Sequence, residues 1–138
     1  MLTEQIENEK YIPFDMAKKL SDIGFRRNSS HYYYANKNIK NENGKWERGD
    51  WKIIETKMGY ISEFAGEWGY KKYIPAYTIV EMLEILFEKY VIQCRKEDGI
   101  YIVYVPINNA SSSFVFSNSS YVVAVSECLL NLKMKLLL

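Results

Sequence analysis

The segment TIVEMLEILFEKY, residues 78–90, constrains this chain more than any other. Thr78 followed three residues later by Glu81 is a capping box, in which each side chain satisfies a backbone N–H left open at the start of a helix. Ile79, Met82, Leu83, Leu86 and Tyr90 recur at helical spacing, and Glu81, Glu84 and Glu88 take the opposite side. Pro75 stands just upstream. Residues 91–96 then read as a strand, Glu97-Asp98-Gly99 as a tight turn, and 100–107 as the returning strand, since Asp-Gly between two alternating runs marks a hairpin. Pro106 puts the end of that strand at a sheet edge.

The rest of the chain extends this pattern on both sides. Residues 1–10 carry three glutamates and little apolar content and read as a loosely held lead-in. In PFDMAKKLSDIGF, Phe14, Ala17, Leu20 and Ile23 lie at helical spacing, with proline at the start and Gly24 placed to end the helix. Phe25 is positioned to fold back on it. Residues 31–36, HYYYAN, predict a strand on aromatic propensity, and 51–57, WKIIETK, its antiparallel partner. Between them NKNIKNENGKWERGD has the composition of an exposed loop or hairpin tip. Residues 58–74 show no clean period and read as an irregular connection. After a serine-rich stretch, with a short strand predicted over 113–117, Ser119 or Ser120 caps a last helix on which Val122, Val125, Leu129 and Leu132 share one face. The order is α-β-β-α-β-β-α. It predicts a single α+β domain over 11–138, helices packed on an antiparallel sheet. A chain of 138 residues buries about 68% of its unfolded surface, enough for a core that needs no disulfide or metal.

Composition removes several functional classes. Eighteen basic against seventeen acidic residues leave a net charge of +1, so no polyelectrolyte role follows from charge alone. One histidine, His31, and two cysteines with no CxxC spacing are too few for a zinc site, and no metal or other cofactor is expected. Cys94 and Cys128 lie in apolar stretches as small hydrophobes, with a disulfide open only if the fold joins them. No 18-residue apolar run and no basic, apolar leader is present, which predicts a cytoplasmic protein of the host-cell cytosol. The glycines form no phosphate loop, and nothing frames a nucleophilic serine or cysteine beside His31.

Two constellations remain. Asp50 with Glu55 and Lys57 resembles the E-x-K core of a large nuclease superfamily, in which two carboxylates hold a divalent cation and a lysine steadies the attacking water. The pattern is short, recurs by chance, and lacks the separate earlier strand that usually supplies the aspartate. The second is electrostatic. Arg26, Arg27, Lys37 and Lys40 lie between Phe25 and Asn41 with no acidic residue, interleaved with Tyr32, Tyr33 and Tyr34. Trp46 follows in the loop, and Lys71 and Lys72 sit among Trp68, Tyr70 and Tyr73. Such a mixture suits a protein interface, where Tyr, Trp and Arg are the common anchors, and also suits single-stranded nucleic acid. The bland alternative is a solvated hairpin whose alternate tyrosines face the core.

Three segments taken together resemble a group of small, functionally uncharacterised proteins of Bacteroidota phages and prophage-like elements: Tyr11 to Phe25, Ile74 to Tyr90, and Tyr121 to Leu130. The shared elements are Y-x-x-F-x-x-A-K-x-L, then I-P-A-x-T leading into a helix, then Y-x-x-A-x-x-x-C-L. The resemblance covers about half of the chain and implies no catalytic motif. It implies instead a non-enzymatic accessory protein that binds and blocks a host protein, with a CRISPR or other defence nuclease, alone or RNA-bound, as the target class. The chain departs from the group in its aromatic, basic 25–57 region, the expected seat of a private function.

Overall fold

The computed structural model describes residues 10–25, 27–55, 73–107 and 113–138. These residues form three helices and six strands in the order α1 (Phe14–Asp22), β1 (His31–Lys40), β2 (Trp46–Glu55), β3 (Tyr73–Pro75), α2 (Ile79–Phe87), β4 (Gln93–Glu97), β5 (Ile100–Pro106), β6 (Ser113–Asn118) and α3 (Tyr121–Met134). The class is α+β, as the order of predicted elements implies. The strands divide into two antiparallel sheets, β2-β1-β3 and β4-β5-β6, where the sequence suggested one. The division follows from β3: its three residues pair with β1, and α2 then carries the chain away before the second hairpin begins.

Local signals explain most of the boundaries. α1 ends in a Schellman motif: the Phe25 N–H donates to Leu20 O, that of Gly24 to Ser21 O, and Gly24 takes the required positive φ of 88°. At α2 the Glu81 N–H donates to Thr78 Oγ1 at 3.2 Å, and the Thr78 N–H donates to Glu81 Oε1 at 2.9 Å. Asp98 and Gly99 both adopt positive φ, 50° and 79°, and Glu97 pairs with Ile100, which is the two-residue turn that matches strand twist.

α3 is the hub. Its packed neighbours are β5 and β6 on one side and α1 and α2 on the other, and α1 in turn lies against β3. Eight of its residues are buried, Ala124, Cys128 and Leu130 among them, so it carries apolar contacts around most of its circumference rather than along the single face read from Val122, Val125, Leu129 and Leu132. One core therefore runs from Leu20 and Ile74 through Met82 and Leu129 to Val103 and Val105.

The β1–β2 hairpin is longer than its composition suggested. Residues 36–50, read as a loop, are mostly ladder: Lys37 pairs with Gly49, Asn38 with Arg48, Ile39 with Glu47 and Lys40 with Trp46. Only 41–45 form the tip, where Asn41 Oδ1 accepts the N–H groups of Asn43 and Lys45. β3 pairs with β1 only at Tyr32–Tyr34, so beyond Tyr34 the sheet narrows to a two-stranded ribbon.

Candidate interaction surface

Side chains alternate across a strand, and directly paired residues share a face. The β1–β2 register therefore assigns each residue of the ribbon a side. One face carries Tyr33, Ala35, Trp51, Ile53 and Ile74, packs toward α1 through Phe14, and belongs to the core. The other carries Tyr34, Lys52 and Tyr73 in one cross-strand row, Asn38 with Arg48 in another, and Lys40 with Trp46 at the end.

Contacts support that assignment. The Tyr34 and Tyr73 rings lie 5.0 Å apart and tilted by 33°. Lys40 Nζ stands 5.3 Å over the Trp46 ring, whose residue is 69% exposed. Lys52 Nζ lies 3.9 Å from Asp50, in an exposed pair worth under about 1 kcal/mol. Three cations and three aromatic rings thus share a single surface.

The residues expected to form the contact are divided by the structure. Tyr34, Lys40 and Trp46 come together on this face. Tyr32 belongs to the same face but is withdrawn as a surface contact: it is 2% exposed, packs with Ile54 and Tyr73, and its hydroxyl accepts the Ser29 N–H. Lys37 is exposed on the opposite face, because it pairs with Gly49 in the odd-numbered register. Arg27 is held elsewhere. Its guanidinium grips Glu88 through two bonds of 2.6 and 2.7 Å, a fork-on-fork pair that raises the arginine and draws the Glu88 carboxyl below its ordinary range. Arg26, Lys71 and Lys72 lie outside the described residues. Sequence reasoning missed Arg48 and Lys52, although residue parity applied to a correctly bounded hairpin finds both.

The nuclease alternative loses its geometric premise. Asp50 and Glu55 are five residues apart on one strand, about 17 Å along it, too far to share a cation. Glu55 pairs across to His31, and Lys57 is outside the described residues. Among the described residues no group of three His, Cys, Asp or Glu side chains is placed to hold a metal. His31 Nδ1 lies 2.8 Å from Ser30 Oγ, and its ring meets Tyr11 at 4.9 Å. Glu81, whose capping role was expected, also accepts the Ser29 hydroxyl at 2.8 Å and the Ser30 N–H at 2.9 Å, fixing the approach to β1.

Both cysteines are free thiols, Cys94 exposed on the edge strand β4 and Cys128 buried. No described helix is long and apolar enough to cross a membrane. No family model matches the chain, and comparison with curated proteins and with solved structures returned no match.

Proposed function

We propose that this chain is a non-enzymatic accessory protein of a phage or mobile element that acts by covering a surface of a host protein, with a CRISPR effector or another defence nuclease as the target class. The observation that carries the reading is the ribbon end, where an exposed tryptophan lies under a lysine and continues into Arg48, Lys52 and Tyr34 on one face. A rigid two-stranded support presents a large ring at little entropic cost, and Trp, Tyr and Arg are the residues on which interface energy concentrates. The resemblance to phage and prophage proteins supplies the context.

The test is cleavage by a panel of purified defence nucleases with and without this protein. Inhibition of one of them is expected, and Trp46→Ala should weaken it by about 30-fold, a hot-spot effect near 2 kcal/mol. Trp46 is exposed, so the variant keeps its fold and a circular dichroism spectrum checks that directly. A panel left at full activity, with no nuclease co-eluting with the protein, ends the proposal.

The Tyr34–Tyr73 pair beside Lys52 favours a second reading, single-stranded nucleic acid stacked on the sheet. Anisotropy of a labelled oligonucleotide separates the two. Nucleic-acid binding would fall steeply with added salt, and Lys52→Ala would flatten the salt slope by about one charge. A protein-directed surface leaves the oligonucleotide free at every salt concentration.

A further inference from the structure

On the opposite face of the ribbon, where it crosses α1, lies an open cavity of about 640 Å³, within the size range of small-ligand sites. One end is aromatic: Phe14 of α1 and Trp51 of β2 meet with ring centroids 5.0 Å apart, and Ile74 lies behind them. Toward the hairpin tip, Ile39 lies across Gly49. A Cβ at position 49 would stand 2.2 Å from Ile39 Cδ1, so the absent side chain is what lets Ile39 lie flat in the wall.

Two polar groups have no counterpart among the described residues. Ser21, on the α1 side, is 4% exposed and its hydroxyl makes no hydrogen bond with a described residue, although a helical serine has the carbonyl four residues back within reach, as Ser126 shows with Val122. No sealed side-chain oxygen is left orphaned among the described residues, so the Ser21 hydroxyl opens on the cavity it lines. The second is the Glu47 carboxylate. The lining also holds Lys18, Arg48, Asp22 and Asp50. Lys18 is held by Asp22 at 3.4 Å and Asp50 lies 3.9 Å from Lys52, whereas Glu47 forms no ion pair with a described residue. Lys37, across the ladder from Gly49, is not in the lining.

We propose that this cavity takes an organic cation, an ammonium or guanidinium on an aromatic or aliphatic body. The body lies on Phe14 and Trp51, where a ring face also attracts positive charge. The N–H groups donate to Ser21 Oγ and to the Glu47 carboxylate. The cation comes from a free amine or from a basic side chain of a polypeptide, and the inference does not rest on the function proposed above.

Phenethylamine, 2-phenylethanol and 3-phenylpropionate share one ring and differ in charge. Each is titrated into ¹⁵N-labelled protein, following the indole N–H resonance of Trp51, assigned by Trp51→Phe. Saturable movement with phenethylamine and none with 3-phenylpropionate is expected. Glu47→Gln, at an exposed position that spares the fold, should weaken the amine about threefold and leave 2-phenylethanol unchanged. A capped arginine tripeptide binding more tightly than phenethylamine identifies a polypeptide as the source, and the reverse order a free amine. The proposal is overturned if the anion binds as tightly as the cation, or if no probe moves Trp51 while the spectrum stays that of the folded protein.

Discussion

Tyr77 shows how the tyrosine content of this chain is used. It is 1% exposed, its ring meets Phe25 at 5.9 Å, and its hydroxyl donates to Arg27 O at 2.7 Å while accepting the Arg27 N–H at 3.0 Å. Removing that oxygen leaves two part-buried backbone groups without this partner, so Tyr77→Phe should lower stability by about 1 kcal/mol, read from urea unfolding. Tyr33 and Tyr90 likewise donate to backbone carbonyls, of Ile12 and Leu137. Abundant tyrosine signalled an interface in the sequence. Much of it proves to be core with a bonded tip, a difference set by carbonyls distant in the chain and invisible to local pattern. The cysteines divide similarly. Apolar neighbours suggested that both are buried, but Cys94 sits on an edge strand whose five residues are all exposed. A thiol reagent should modify Cys94 in the native protein and reach Cys128 only after unfolding, which mass spectrometry after digestion resolves.

Among the elements, those with chemical punctuation were the legible ones. The Thr78–Glu81 box, Gly24 after α1 and Asp98-Gly99 each encode a backbone geometry in one or two residues, and each occurs as expected. The ribbon was misjudged because Asn, Gly and Lys are loop formers in isolation, while cross-strand pairing is non-local and holds them extended. The candidate surface was half legible for the same reason: a loop assigned to 36–50 has no parity, and without parity its two faces cannot be told apart. α3 ends in a second Schellman motif, with Leu137 N–H donating to Leu132 O, but here the left-handed position falls on Leu136, φ 59° and 84% exposed. An L side chain there is strained. Leu136→Gly should therefore raise stability by about 1 kcal/mol, an increase that thermal unfolding would register.

For the molecule as a whole, alkaline pH is the weak side. Burial pushes the Cys128 thiol up to about 12 from an ordinary 9.0, and burial with the neighbouring Cys94 pushes the Tyr121 phenol up to about 12 from 10.0. In both cases the unfolded chain loses its proton first. The stability these groups contribute is complete below their unfolded values and drains away as pH rises through the folded ones. The melting temperature should begin to fall above pH 9, and Cys128→Ala should move that onset toward the tyrosine range. An onset unchanged by the substitution removes the thiol as its cause.

The hub position of α3 bears on how the protein is made. Met82 and Leu86 of α2, Leu20 of α1 and Val103 of β5 all belong to the core that α3 completes, and α3 follows all of them in the chain. During vectorial synthesis the preceding residues emerge with their apolar sides uncovered, and the cooperative transition must wait until Leu132 has left the exit tunnel. A nascent chain stalled before that point is a client for chaperones.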